Sequence, residues 1–122
     1  MVTRNVALNE LNFRGISVNA EADNVTAITL VASDSGLVLI NKETSGTVTY
    51  TLPAVALGKG KMFWFYSAAA QPIAITSPTA TTLNTAGSLT TTLTSASSIG
   101  ECAMVIGDGS FYYLFEIYGT WS

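Results

Sequence analysis

The sequence predicts an all-β protein: a single-domain antiparallel β-sandwich or barrel, jelly-roll-like, with an extended N-terminal arm. Short apolar stretches recur about every ten residues and are separated by turns rich in Gly, Ser, Asn and Asp. After residue 25, no helix-capping residue is followed by apolar residues at a 3.6-residue period. With 122 residues, the chain can bury about two thirds of its unfolded surface as one domain. We find no convincing internal repeat.

The first segment, residues 1–24, differs from the rest of the chain. Its apolar residues follow neither a period of 2 nor one of 3.6, and local charges separate them. A disordered tail would not need these apolar residues, so we interpret 1–24 as an arm that packs on a partner, and 25–122 as the β domain. A first strand of the same domain is an equally good interpretation. The arm residues expected to contact the partner are Arg4, Val6, Leu8, Leu11, Phe13 and Arg14.

The middle of the chain contains a series of strand signals. Strict alternation of Val, Tyr and Leu with Thr makes 47–52 the clearest strand, and Pro53 ends it because proline cannot donate to a ladder. Further strands are expected at 27–31, 37–41, 62–66 and 73–75, and two short edge strands at about 81–85 and 89–94. The strand at 62–66 carries large side chains on both faces, so both faces should be covered.

The last hairpin organises the predicted domain. A short apolar strand at 102–106 leads through Gly107-Asp108-Gly109 to a strand at 111–118. The odd-numbered face of this last strand is purely apolar and is predicted to join the core, and its even-numbered face should meet another subunit. The predicted core consists of Val48, Tyr50, Leu52, Phe63, Phe65, Phe111, Tyr113, Phe115 and Ile117. The predicted subunit interface consists of Tyr112, Leu114, Tyr118 and Trp121.

Composition argues against catalysis and metal binding. The chain has no His and one Cys, which removes the commonest general base and the thiolate metal clusters. We therefore assign no catalytic, cofactor-binding or metal-binding residue. Five scattered basic residues and a net charge of −3 argue against nucleic acid. No apolar run is long enough for a membrane helix, and the N-terminus lacks the apolar core of a signal peptide.

Charge is unusually scarce, which suggests a partner. Only 11% of residues are charged, and none lies between Lys61 and Glu101. Average domains carry about 25%. A surface covered by Thr, Ser, Ala and Asn is poorly soluble unless part of it is occupied.

A succession of short motifs resembles a known group of proteins. Asp34-Ser35-Gly36 precedes a strand ending in Asn41, and residues 45–53 read SGTVTYTLP. Later come Ile73-Ala74-Ile75, Ser98-Ile99-Gly100, Gly107-Asp108-Gly109, Tyr112-Tyr113 and Gly119-Thr120-Trp121. In this order the motifs resemble small β-modules from virion proteins of tailed bacteriophages, namely head decoration (cement) proteins and tail-fibre modules.

This resemblance implies a non-catalytic structural virion protein. A chain with one arm and one domain has the shape of a decoration protein, which binds the major capsid protein on the outer surface of the head and stabilises it. The resemblance also implies a homotrimer, assembled in the host cytoplasm and located on the capsid, whose arm grips the shell. The alternatives are a tail-fibre or receptor-binding module that binds carbohydrate, and an unrelated soluble β domain.

Overall fold

A computed structural model describes residues 13–20, 25–78, 83–85 and 88–122. These residues form an all-β protein of eleven strands in two mixed sheets. Helical geometry within the described ranges is limited to two short 3₁₀ turns, Ala32–Asp34 and Val55–Gly58. The strands are β1 Gly15–Asn19, β2 Ala27–Thr29, β3 Leu37–Asn41, β4 Val48–Thr51, β5 Met62–Ser67, β6 Ile73–Thr76, β7 Leu83–Thr85, β8 Ser88–Thr90, β9 Thr92–Thr94, β10 Cys102–Gly107 and β11 Tyr112–Tyr118.

Most predicted strands are found at or near their predicted positions. The strand predicted at 37–41 is β3 with the same bounds, and the alternating stretch at 47–52 contains β4. The Thr-rich region predicted to hold two edge strands contains three short ones, β7, β8 and β9. Local patterns therefore located the strands well.

The pairing of the strands differs from the antiparallel prediction. The large sheet has the order β1-β3-β5-β10-β11-β7-β8, and the small sheet has the order β2-β4-β6-β9. The first six strands alternate between the two sheets, and within each sheet they pair in parallel. Because each connection carries the chain across to the other sheet, the first six strands wind as three coils. Neither sheet is closed, so the predicted barrel is wrong.

This winding is an internal structural repeat that the sequence reading missed. Gly15 pairs with Leu37 in the large sheet, and Ala27 pairs with Thr49 in the small sheet. Both partners lie 22 residues further along the chain, which is the step from the first coil to the second. The step from the second coil to the third is longer, 26 residues from Val38 to Trp64 and 25 from Val48 to Ile73, so the coils give the sequence no constant period.

Both sheets contribute to one hydrophobic core. The predicted core residues of the middle strands are all buried, and they are Val48, Tyr50, Leu52, Phe63 and Phe65. The rings of Tyr50 and Phe65 meet edge to face across the core, with centroids 5.2 Å apart. Ile73, Ile75 and Val105 complete the centre of the same cluster.

The two faces of β11 are the reverse of those predicted. Tyr112 is 0% exposed and Leu114 is buried, whereas Phe115 is 47% exposed and Ile117 is exposed as well. Phe111 and Tyr113, also predicted for the core, are only half-buried.

The position of Tyr112 explains this reversal. Its ring lies against two glycines, Gly58 and Gly107, where any added Cβ would collide with the ring. Its hydroxyl donates a hydrogen bond of 2.9 Å to the backbone oxygen of Pro53. The two glycines and this buried acceptor hold Tyr112 in the core, and strict alternation then places Leu114 there too.

Of the predicted arm 1–24, the structure describes residues 13–20, and there it supports the alternative interpretation, a first strand of the same domain. Residues 15–19 form β1, an edge strand that pairs in parallel with β3 along its full length. Just before it, the Arg14 amide donates to the Gly36 oxygen at 2.7 Å, which fixes the start of the strand. A domain boundary after residue 24 would therefore divide the large sheet. Residues 1–12 and 21–24 lie outside the described residues.

Buried polar side chains join the first two coils at one corner. The Nδ2 of Asn19 donates to the Oδ1 of Asn41 at 3.1 Å, and the same oxygen accepts the Glu43 amide at 3.0 Å. Asn41 is fully buried, so these bonds satisfy an acceptor that water cannot reach. Asn19 and Asn41 are register partners at the ends of β1 and β3.

Candidate interaction surface

The outward-facing side of the large sheet carries an apolar surface, which we call the outer face. Register pairing aligns its side chains in three rows that cross the strands. The first row is Ile16, Val38, Trp64, Met104 and Phe115; the second is Val18, Ile40, Tyr66, Cys102 and Tyr118; the third is Met62, Ile106 and Tyr113. The first two rows each cross five adjacent strands.

None of these thirteen outer-face residues is charged. Several are well exposed, among them Ile16, Phe115 and Tyr118, the last at 65%. A five-stranded face of five residues per strand measures roughly 400 Å² from ordinary strand spacings. The largest apolar patch on a monomer is about 300–600 Å² and is often functional. The outer face lies within this range, and we take it as the candidate interaction site among the described residues.

Two outer-face residues carry polar atoms with little access to water. Trp64 is half-buried, and its Nε1 makes no hydrogen bond within the described residues. Cys102 is a half-buried free thiol, and burial raises the pKa of that thiol, so at neutral pH it stays protonated and apolar. The outer face thus has no ionised group of its own.

Three of the four predicted interface residues lie in the protein's own core. Tyr112, Leu114 and Trp121 are buried, so they cannot form the expected contact with another subunit. The cause is the reversal of β11 and, for Trp121, a bridge that pairs it with Ser95 at the end of the small sheet. The register of β11 shifts opposite Cys102 and Ala103, so the even-numbered Tyr118 lies beyond this irregularity on the outer face and remains a candidate interface residue.

The structure describes two of the six predicted capsid-binding residues. Arg4, Val6, Leu8 and Leu11 lie outside the described residues. Phe13 and Arg14 are exposed. The guanidinium of Arg14 donates a 2.8 Å hydrogen bond to the Ser33 oxygen of its own chain. That bond ties Arg14 to the turn before β3.

The acidic side chains Glu43 and Glu116 accept hydrogen bonds from nearby backbone amides. Glu43 is buried, and its Oε1 accepts the amides of Thr44 and Ser45 at 3.1 Å. Glu101 is also buried, and Glu116 accepts the Trp121 amide at 3.3 Å. Across the described ranges, no three Asp, Glu, Cys or His side chains gather as a metal site would require.

The turn between β10 and β11 is held by Asp108. Its Oδ1 accepts the amides of Ser110 and Phe111, both at 2.7 Å, and its Oδ2 accepts the Tyr113 hydroxyl at 2.8 Å. The amide of Phe111, then that of Ser110, then the Tyr113 hydroxyl, hold the pKa of the Asp108 carboxyl below its usual range. The hydrogen bond from the Tyr113 hydroxyl to Asp108 also raises the pKa of Tyr113. Asp108 therefore orients an outer-face tyrosine.

Sequence reasoning missed most of the outer face. One signal was available: both faces of β5 carry large side chains, which predicted that both would be covered. The rows themselves depend on parallel registers between β1, β3 and β5, and these follow from the coiled winding.

Comparisons with known proteins add no family assignment. No protein-family model matches the sequence, and no curated protein gives a significant match. Among the described residues, no helix is long and apolar enough to cross a membrane. The resemblance to bacteriophage virion modules therefore depends on the sequence motifs alone.

Proposed function

We propose that this protein is a non-catalytic structural protein whose copies associate through the outer face of the large sheet. The observation that supports this most directly is the outer face itself, with three rows of apolar side chains and no charge. Interface centres are enriched in aromatic residues and Met and depleted of charged residues, and Trp64, Tyr66, Met104 and Phe115 fit that composition.

The outer face alone is smaller than a standard protein–protein interface. Roughly 400 Å² is about half of the 800 Å² that each partner buries in a standard interface. A stable assembly therefore needs further contacts around the outer face or a second partner. A trimer bound to a larger surface supplies both, which agrees with the homotrimer implied by the sequence motifs.

We infer that the partner surface is the major capsid protein of a bacteriophage head, and that the protein acts there as a decoration protein. The motifs of residues 25–122 support this inference, as does the scarcity of charge from residue 62 to residue 100. Within the predicted arm, Gly15–Asn19 belong to the large sheet as β1, so among the described arm residues we assign the shell contact to the exposed Phe13.

We further propose that the two sheets form a β-sandwich of mixed rather than antiparallel strands. The shared core and the contact between Tyr50 of the small sheet and Phe65 of the large sheet support this arrangement. Such a sandwich covers the inner face of the large sheet and leaves the outer face for partners.

Charge substitutions on the outer face test the association. Phe115→Glu and Tyr118→Glu should reduce the wild-type oligomer to monomers at micromolar concentration, as measured by light scattering. Leu57→Glu is the matched control, because Leu57 is 62% exposed but lies on a 3₁₀ turn and belongs to none of the three outer-face rows. A monomeric wild-type protein, or equal effects of all three variants, would refute association through this face. Binding of the purified protein to expanded phage heads then tests the decoration role.

A tail-fibre or carbohydrate-binding module is the second candidate. The exposed outer-face aromatics Tyr66 and Tyr118 favour it, because aromatic rings can stack on sugars. Counting copies per virion separates the two functions. Hundreds of copies support a capsid location, and a handful supports the tail.

A further inference from the structure

The two sheets leave a cavity between their edge strands β1 and β2. Residues of both strands line this cavity of about 520 Å³, and small-molecule sites span roughly 300–1,000 Å³. Side-chain burial rises from the sheet edges inward. Ser17 is exposed, whereas its register partner Leu39 is buried, and Ile28 is half-buried, whereas its register partner Tyr50 is fully buried. The cavity therefore extends from the edges of the two sheets toward the shared core.

The walls of the cavity are mostly aliphatic. They include Ile28, Leu30, Leu37 and Leu39. The acidic wall residue is Asp34, whose Oδ2 accepts the Val31 amide at 2.9 Å, and no basic side chain is among the described walls. An anion inside the cavity would therefore meet a carboxylate and find no counter-charge, so the walls suit an uncharged, apolar molecule.

One wall residue, Tyr50, carries a buried hydroxyl that makes no hydrogen bond with the described residues. The side chain is only 1% exposed, and its ring meets Phe65 of the opposite sheet with centroids 5.2 Å apart. The hydroxyl therefore lies in the layer between the sheets, where the cavity is. The other fully buried tyrosine, Tyr112, differs because its hydroxyl donates to the Pro53 oxygen at 2.9 Å. Buried donors normally have such a partner, so the Tyr50 hydroxyl is available to an acceptor in the cavity.

We propose that this cavity binds a small uncharged molecule with an apolar body and one neutral acceptor, such as a ketone or ester carbonyl, which accepts a hydrogen bond from the Tyr50 hydroxyl. The aliphatic walls bury the apolar body, and the hydroxyl fixes its orientation, which is the usual division of labour in a ligand site. The site lies on the inner side of the large sheet, so it is separate from the outer face and from the proposed function.

An NMR titration of the full-length protein tests this site. The methyl resonances of Ile28, Leu30 and Leu39 report on the cavity walls. Acetophenone, which carries a ketone, should shift these resonances saturably. Benzoate has nearly the same shape but is an anion at neutral pH, and it should bind more weakly than acetophenone. The absence of a saturable shift with acetophenone, or tighter binding of benzoate, would overturn the proposal.

Variants of the two buried tyrosines separate the hydrogen bond from the apolar contact. Tyr50→Phe should weaken the binding of acetophenone about fivefold, because it removes only the donor. α-Methylstyrene has the shape of acetophenone without the acceptor, and Tyr50→Phe should leave its binding unchanged. Tyr112→Phe is the matched control, since Tyr112 is equally buried but is not a wall of this cavity, and it should leave both affinities unchanged. Equal changes for both probes in Tyr50→Phe, or an equal loss in Tyr112→Phe, would refute the hydrogen bond to Tyr50.

The stability of the free protein gives an independent check. Tyr112→Phe removes the hydrogen bond to Pro53 and should lower the free energy of unfolding, whereas Tyr50→Phe removes none within the described residues and should not lower it. An equal reduction in both variants would show that the Tyr50 hydroxyl already has a partner in the free protein, and would contradict the proposal. None of these measurements involves the outer face, so the proposed function stands or falls separately.

Discussion

At the residue scale, single side chains of β11 determine which of its faces joins the core. Both faces are apolar, so hydrophobic alternation does not distinguish them. Tyr112 resolves the choice because its ring needs the space left by Gly58 and Gly107, and its hydroxyl needs a buried acceptor.

We therefore expect opposite outcomes from truncating two adjacent residues of β11. Leu114→Ala should lower the free energy of unfolding by about 2–5 kcal/mol, because it leaves a cavity in the core. Phe115→Ala should lower it by about 1 kcal/mol or less in the monomer, because Phe115 is on the outer face. Denaturant unfolding of both variants measures the difference, and a larger loss for Phe115→Ala would restore the original assignment of the faces.

The two buried tyrosines give a prediction at alkaline pH. Burial raises the pKa of Tyr50 and that of Tyr112 to about 12. Both groups ionise earlier in the unfolded chain, near pH 10. Their contribution to stability is therefore complete below pH 10 and declines as the pH rises toward 12. Phenolate absorbance should show one late-titrating group fewer in Tyr112→Phe than in the wild type; complete ionisation by pH 10 without unfolding would contradict the burial of Tyr50 and Tyr112.

At the scale of elements, the corner between the first two coils depends on Asn41. Replacing Asn41 with Ala removes the acceptor of two buried hydrogen bonds, from Asn19 and from the Glu43 amide. We expect a loss of about 2 kcal/mol in the free energy of unfolding, because unsatisfied buried donors each cost about 1–3 kcal/mol. Lys42→Ala is the control, since Lys42 is adjacent and exposed. Equal stability of the two variants would show that the corner does not hold the coils together.

The β10–β11 turn gives a prediction at acid pH. The amides of Phe111 and Ser110 lower the pKa of Asp108 in the folded state. The ionised carboxyl therefore stabilises the fold fully above the pKa of Asp in the unfolded chain, about 4. This stabilisation is lost as the pH falls through the lower folded pKa. Asp108→Asn should flatten the decline of stability below pH 4. A carboxyl of Asp108 that titrates at or above its ordinary value by NMR would contradict the turn geometry.

At the scale of the whole molecule, the proposed association depends on apolar contact rather than on charge. An uncharged outer face should bind more strongly as the temperature rises from near 0 °C to about 25 °C, and in sulfate, because both conditions strengthen apolar association. Sodium chloride at moderate concentration should change it little. Analytical ultracentrifugation at several temperatures, and in sulfate or sodium chloride, measures the strength of this association. Dissociation by moderate salt would indicate an electrostatic interface instead.

The sequence by itself determined the fold class, the position of most strands and the middle of the core. Alternation along 47–52 and the large side chains of 62–66 encode burial locally, so Val48, Tyr50, Phe63 and Phe65 could be assigned from their neighbours in the chain. Only the tertiary structure decided the strand pairing, the core side of β11 and the existence of the outer face. These depend on contacts between residues far apart in sequence, such as Gly58 with Tyr112 and Val38 with Trp64, and no local pattern specifies them.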